Sequence, residues 1–285
     1  MGLTTNFIGL KLKNSVFVAS GIAGFGEEYS DLFDINKLGG FITKTVTLLP
    51  RKGNSLPRIV ETTSGMINSI GLENPGVDAF IEDKLPFLRK NLKIPVIVSI
   101  GGETAEELVS VVRKLNGVEV ISAIELNLSC PNIKSARKYF ISQDKELAYK
   151  TIRAIRKVTK FPLIAKLSPA VTDITEIAQV SKNAGADAVA LINSFPAMFF
   201  SKDRAPVFGG LSGPVIKPMA LKMIYEVSRK VKIPIMGVGG ITSVKDAMDF
   251  FAAGSSVIAV GSCMFKNPKL PIEIIKGLSK NGKQD

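Results

Sequence analysis

Residues 123–130 read Ala-Ile-Glu-Leu-Asn-Leu-Ser-Cys, a short segment with a strand-like apolar pattern that leads directly into Pro131 and Asn132. Seven other short segments share its Val- and Ile-rich character. Continuous rather than alternating apolarity is typical of parallel strands that are covered on both faces. The eight predicted strands are 15–20, 40–46, 95–100, 123–129, 162–168, 188–194, 234–239 and 257–262.

Amphipathic stretches lie between these strands and predict helices over 105–115, 146–158, 174–184, 217–231 and 245–253. Strand and helix therefore alternate almost to the end of the chain. At 285 residues the sequence fits an α/β protein with the (β/α)8 TIM-barrel fold, whose usual size is about 250 residues. No linker-like tract divides it, so we predict a single barrel domain over residues 1–285. An open doubly wound sheet is the alternative.

The composition excludes several kinds of site. The two cysteines, Cys130 and Cys263, are far apart, which does not support a disulfide framework, a zinc cluster or an iron–sulfur cluster. Histidine is absent, which rules out Ser-His and Cys-His catalysis and histidine metal ligation. We predict no metal site. Without a membrane-spanning apolar run or a signal-like start, the expected location is the cytoplasm.

The formal net charge of +12 raises the possibility of nucleic-acid binding. Four basic pairs, however, fall late in predicted helices, where cations interact favourably with the negative helix end. The pairs are 89–90, 113–114, 156–157 and 229–230. We therefore predict no nucleic-acid partner and place these charges on the face opposite the strand C-termini.

Polar or glycine residues follow almost every predicted strand. In a barrel these positions share one mouth, where barrel enzymes carry their chemistry. The set comprises Ser20, Gly21, Lys44, Thr45, Ser99, Asn127, Cys130, Asn132, Lys166, Asn193, Ser194, Gly239, Gly240, Gly261 and Ser262.

Three groups within this set indicate a chemistry. The glycines after the last two strands predict a phosphate site, since glycine backbone amides can approach phosphate oxygens closely. Lys44 and Lys166 end otherwise apolar runs and predict anionic ligands. Asparagines at or near the mouth suit a planar ligand with imide or amide edges, and the thiol of Cys130 is placed for reaction in a loop. The four asparagines are Asn68, Asn127, Asn132 and Asn193.

These residues resemble those of the class 1 dihydroorotate dehydrogenases, and the subtype 1B catalytic subunit in particular. The likeness runs nearly end to end through 19–21, 43–45, 68–76, 127–132, 166–169, 193–194, 209–213 and 239–241. The motifs that begin at Asn68 and Asn127 are the most specific.

The resemblance implies FMN as cofactor and dihydroorotate as substrate. The FMN phosphate would lie at Gly239, Gly240, Gly261 and Ser262, and the rest of FMN at Ser20, Lys44, Thr45, Ser99, Asn127, Lys166, Ile192 and Gly213. Orotate would contact Lys44, Asn68, Ser69, Ile70, Gly71, Leu72, Asn127, Asn132, Asn193 and Ser194.

The resemblance also implies a reaction in pyrimidine biosynthesis. Cys130 would remove a proton from carbon 5 of dihydroorotate while hydride leaves carbon 6 for the flavin. Lys44 would lower the pKa of the thiol, and Lys166 would supply positive charge to the reduced flavin. A separate iron–sulfur flavoprotein subunit and a homodimeric core are the expected partners.

Two alternatives remain at this level. A tRNA dihydrouridine synthase is also an FMN barrel with a loop cysteine, but its pattern has Gly where Ser129 precedes Cys130 here. Too few residues follow the last predicted strand for an RNA-binding domain of ordinary size. A non-redox barrel that binds a sugar phosphate would use the terminal glycines and no flavin.

Overall fold

The computed structural model of the chain describes residues 4–128 and 140–281. The strands, in chain order, are Thr5–Phe7 (β1), Leu10–Leu12 (β2), Val16–Val18 (β3), Gly40–Ile42 (β4), Ile59–Thr62 (β5), Gly65–Asn68 (β6), Val96–Ile100 (β7), Ile121–Asn127 (β8), Leu163–Lys166 (β9), Ala188–Leu191 (β10), Phe195–Phe200 (β11), Pro206–Ser212 (β12), Ile235–Val238 (β13) and Val257–Val260 (β14). The α-helices are Val77–Ala79 (α1), Leu85–Asn91 (α2), Ala105–Leu115 (α3), Lys145–Arg156 (α4), Ile174–Ala184 (α5), Lys217–Lys230 (α6), Val244–Ala252 (α7) and Leu270–Asn281 (α8).

Among these residues, eight parallel strands form a closed barrel in the order β10-β13-β14-β3-β4-β7-β8-β9. Each of the eight predicted strands contains or overlaps one of them. The predicted barrel is therefore confirmed, and the open doubly wound sheet is wrong, because β9 and β10 pair and close the ring.

Apolar side chains fill both sides of the barrel wall. Phe17, Ile42 and Ile97 belong to a cluster inside the barrel, and a larger cluster lies between the strands and the helices. The hairpin of β1 and β2 adds Phe7 and Leu12 to the inner cluster. This double burial is why the barrel strands have continuously apolar sequences.

Four of the described helices, α3, α4, α5 and α7, begin at capping side chains. Thr104 accepts a hydrogen bond from the backbone of Glu107 at the start of α3, and Asp173 accepts one from Thr175 at the start of α5. Both helices match their predicted bounds. The sequence analysis did not predict α1 or α8, and it gave no bounds for α2, although it placed residues 89–90 late in a helix. A π-helical turn, Phe80–Lys84, lies between α1 and α2.

A second sheet was also not predicted. It has four antiparallel strands in the order β11-β12-β6-β5, with Asn68 of β6 opposite Gly210 of β12. Its two hairpins follow the barrel strands β4 and β10, so the sheet stands at the C-terminal mouth. Residues 195–208 lie in one of these hairpins. Throughout the described part of the chain, helices are too short or too polar to cross a bilayer.

Candidate active site

A cavity of about 320 Å³ opens at the C-terminal mouth of the barrel, between the strand ends and the antiparallel sheet. Pockets of this size suit small-molecule ligands. Seventeen residues predicted for the mouth or the site line it: Ser20, Gly21, Lys44, Thr45, Asn68, Ile70, Leu72, Asn127, Lys166, Ile192, Asn193, Ser194, Gly213, Gly239, Gly240, Gly261 and Ser262. Residues spread over most of the chain thus converge on one cavity.

Lys166 lies at the end of β9 with its side chain 8% exposed. Its Nζ is 3.7 Å from Oε1 of Glu125, a carboxylate of β8 that is 1% exposed. The ammonium is therefore kept beside the cavity by an opposite charge beneath it. Such a cation favours a ligand that carries or acquires negative charge.

Lys44 belongs to a cluster of two cations and one carboxylate at the cavity edge. Its Nζ is 3.5 Å from Oε2 of Glu73, and Arg58 donates to the same oxygen at 2.9 Å. Partial burial alone would raise the pKa of Glu73, but the hydrogen bond from Arg58 and the charges of Lys44 and Arg58 outweigh it and lower the pKa. The ionised cluster carries a net positive charge, which suits an anionic ligand.

Glycine turns form another part of the cavity wall. Gly239 and Gly240 have φ angles of 122° and 78°, in the region that favours glycine. A Cβ at Gly240 would lie 2.8 Å from Cβ of Lys217, whereas one at Gly261 would meet no atom within 4 Å. The backbone at Gly261 is therefore open to a ligand, and helix α7 begins shortly after Gly240. The arrangement fits a phosphate group.

Other predicted residues do not line the cavity. Ser99 is fully buried, and its hydroxyl lies 3.1 Å from Oγ1 of Thr45, which does line the cavity. Ser69 is buried and accepts a hydrogen bond from Asn54 at 3.1 Å. Gly71 packs against Asn54 as well. Cys130 and Asn132 lie outside the described residues.

The sequence analysis assigned no role to several lining residues, among them Met66, Glu73, Ser212 and Phe265. Glu73 stands inside the motif that begins at Asn68, and that motif was the available signal. Met66 and Ser212 reach the cavity only because β6 and β12 pair above the barrel mouth. The sequence around Met66 carried no comparable signal, and Ser212 belongs to the less specific stretch 209–213.

Comparison with protein families shows to which family the chain with this cavity belongs. A family model described as dihydroorotate dehydrogenase matches residues 2–281. The chain belongs to the dihydroorotate dehydrogenase family.

Curated relatives agree over almost the whole chain. One from Thermoanaerobacter pseudethanolicus is 46% identical and the alignment covers 98% of this chain and 93% of the relative. Relatives from Brachyspira hyodysenteriae and Endomicrobium trichonymphae are 47% and 48% identical, with 99% and 97% of this chain and 94% and 90% of the relatives covered. All three are named dihydroorotate dehydrogenase B (NAD(+)), catalytic subunit.

Dihydroorotate dehydrogenases are flavin-dependent oxidoreductases that convert dihydroorotate to orotate in pyrimidine biosynthesis. The predicted activity is therefore confirmed at the level of the family. The match favours it over the tRNA dihydrouridine synthase and the non-redox barrel.

Proposed function

We propose that this chain is the catalytic subunit of a dihydroorotate dehydrogenase that uses FMN. The proposal is carried by one observation: two lysines, three asparagines and a set of glycine turns line a single cavity in a chain of this family. FMN, when bound, accepts the hydride that leaves carbon 6 of dihydroorotate. Residues 1–285 would form one FMN-binding barrel domain.

The cofactor residues of the proposal have distinct tasks. Gly239, Gly240, Gly261 and Ser262 would hold the phosphate, because all four line the cavity, the backbone at Gly261 is open, and a helix N-terminus follows Gly240. Lys166 would place positive charge where negative charge develops on reduction. Ser20, Thr45, Asn127, Ile192 and Gly213 would contact the rest of the cofactor, and Ser99 would support Thr45 from below.

The substrate residues include the positive cluster at Lys44. We propose that Lys44 binds the carboxylate of dihydroorotate while Glu73 holds the lysine side chain at the cavity edge. Asn68, Asn127, Asn132 and Asn193 would bind the polar edges of the ring, with Ile70, Leu72 and Ser194 beside it and Ser69 and Gly71 supporting that loop. Cys130 would remove the proton from carbon 5.

The activity is tested by mixing the purified protein anaerobically with dihydroorotate and following the flavin absorbance. We expect the yellow band to bleach within the first turnover. Protein that carries no flavin, or a flavin that dihydroorotate leaves oxidised, would contradict the proposal.

We expect Cys130→Ala to slow flavin reduction by about 10² or more, the usual contribution of general base catalysis. Single-turnover absorbance measures the rate, and the flavin content of the purified variant shows whether the cofactor is retained. Cys263→Ala is the matched control, because this second thiol is half-buried and absent from the cavity lining. Unchanged reduction by Cys130→Ala would remove Cys130 from this role.

We also propose a second subunit that carries an iron–sulfur cluster and its own flavin and passes electrons to NAD(+). The names of the relatives support it, since each describes a catalytic subunit and NAD(+). We further propose a homodimer of this chain as the core, located in the cytoplasm. Light scattering measures the mass, and reoxidation with NAD(+), fumarate or a quinone, with and without the second subunit, tests the acceptor.

A further inference from the structure

A buried carboxylate lies directly beneath the cavity without lining it. Glu125 is 1% exposed and accepts a hydrogen bond from the Ser99 hydroxyl at 2.8 Å. Its separation of 3.7 Å from Lys166 Nζ is an ion-pair distance, too long for a hydrogen bond. Among residues 4–128 and 140–281, Ser99 links Glu125 to other hydroxyl groups.

Glu125, Ser99, Thr45, Asn127 and Asn193 form a chain of hydrogen bonds. The direction of this hydrogen-bond chain depends on which partner each hydroxyl hydrogen is donated to. An ionised carboxylate only accepts, so Ser99 uses its single hydrogen on Glu125. Ser20 donates to the carbonyl of Thr43 at 2.9 Å, so the Thr45 hydroxyl is the donor towards either Ser99, 3.1 Å away, or Ser20, 3.2 Å away. With its hydrogen used, Thr45 Oγ1 accepts from Nδ2 of Asn127 at 3.2 Å.

The other end of the same chain runs in the same direction. Oδ1 of Asn127 accepts from Nδ2 of Asn193 at 3.2 Å, and Oδ1 of Asn193 accepts from the backbone N–H of Ser194 at 2.8 Å. A backbone N–H can only donate and a carboxylate can only accept. Both ends therefore require the same orientation of the two amide groups between them.

We propose that Glu125 is a positioning residue that sets the direction of this chain of hydrogen bonds. It thereby holds the Asn127 side chain so that an amide N–H, and not the amide oxygen, is available to the ligand. Asn127 lines the cavity, and one Nδ2 hydrogen is committed to Thr45. The remaining hydrogen selects a ligand that presents an acceptor oxygen, such as the carboxylate or carbonyl oxygens of orotate. This inference rests on the proposed contact between orotate and Asn127.

Two single variants separate this role from charge compensation of Lys166. Glu125→Gln removes the acceptor-only group, while Ser99→Ala breaks the chain and keeps the carboxylate beside Lys166. We expect each to raise the orotate Kd by about tenfold, the scale of one hydrogen bond to a charged ligand. The orotate Kd of the double variant should be about that of the single variant with the higher Kd, because the effects of two substitutions in one hydrogen-bond chain are not additive. Calorimetric titration of orotate gives the four constants.

Two further measurements exclude a general loss of structure. Ser181→Ala is the matched control, since this serine is also fully buried but donates within α5, and its orotate Kd should stay within about twofold of wild type. The side-chain amide resonances of Asn127, assigned by their loss in Asn127→Ala, should shift in Glu125→Gln and Ser99→Ala but not in Ser181→Ala. These spectra need no ligand.

Wild-type affinity in Ser99→Ala, additive effects in the double variant, or unshifted Asn127 resonances would each overturn the inference and leave the proposed function standing. If the wild-type protein neither holds flavin nor reacts with dihydroorotate, the proposed function fails instead. The amide spectra of the apoprotein still decide the role of Glu125 in that case.

Discussion

Asp246 shows how single contacts hold the proposed phosphate turn in place. Its carboxylate pairs with Lys217 and accepts hydrogen bonds from the backbone and hydroxyl of Thr242 at 2.8 and 2.6 Å. Burial alone would raise the pKa of Asp246, but the hydrogen bonds from Lys217 and Thr242 outweigh it and lower the pKa to about 2. Asp246 therefore ties the first turn of α7 to the start of α6, with Gly240 between them.

We expect Asp246→Asn to lower the free energy of unfolding at pH 7 by about 2 kcal/mol. The reason is that folding of the wild-type protein lowers the pKa of Asp246 from 3.8 to about 2. A lowered pKa stabilises the fold above the unfolded-state value, and the contribution is lost as the pH falls from about 4 towards 2. Urea unfolding of wild type and variant at pH 7 and pH 3 should give a smaller difference at pH 3.

Asp249→Asn is the matched control for this prediction. Asp249 also contacts Lys217, at 2.7 Å, but its side chain is 33% exposed against 12% for Asp246. Its effect on unfolding should be smaller. A loss in Asp246→Asn that does not change with pH would contradict the assigned cause.

Turns between elements, rather than the elements themselves, form the proposed phosphate site. Gly240 and Gly261 both line the cavity, yet their surroundings differ. A Cβ at Gly240 would contact Lys217 and the carbonyl oxygen of Gly213 at 2.8 and 2.9 Å, whereas a Cβ at Gly261 would have free space. The two glycines therefore allow ligand binding and folding to be tested separately.

We expect Gly261→Ala to leave the thermal stability of the apoprotein unchanged and to weaken FMN binding by about tenfold, because the methyl group enters space near the phosphate. Gly240→Ala should lower the stability of the apoprotein itself, by about 1 kcal/mol or more, since its φ of 78° strains any other residue. Thermal unfolding without FMN and fluorescence titration with FMN measure the two effects. Unchanged FMN affinity in Gly261→Ala would place the phosphate elsewhere.

Part of the positive charge of the molecule lies in basic pairs at the C-terminal ends of helices. Arg89 and Lys90 occupy the last turn of α2, and Arg229 and Lys230 the last turn of α6, as the sequence predicted. Helices of a parallel barrel end near the N-termini of the next strands, away from the cavity. Only local cations such as Lys44 and Lys166 line the described cavity.

We therefore expect Lys44→Met to raise the KM for dihydroorotate at least tenfold, because the charge that binds its carboxylate is lost. Neutralising Arg89 and Lys90 to Gln should change KM by less than about twofold, since charges so far away are screened by salt. Steady-state kinetics at 0.15 M salt compares the variants. A large change from the distant pair would show that the overall field, and not the cavity, attracts the substrate.

The sequence by itself determined the barrel and most of its mouth, because strands buried on both faces leave a continuous apolar signal and polar residues at their C-terminal ends must then converge. Lys166 and Asn127 were predictable in this way. Only the tertiary structure decided the antiparallel sheet, whose two hairpins pair across more than a hundred residues, as Asn68 does with Gly210. It also decided the contacts of Glu125, Glu73 and Ser99, since a hydrogen bond or an ion pair between distant segments depends on distances that no local pattern encodes.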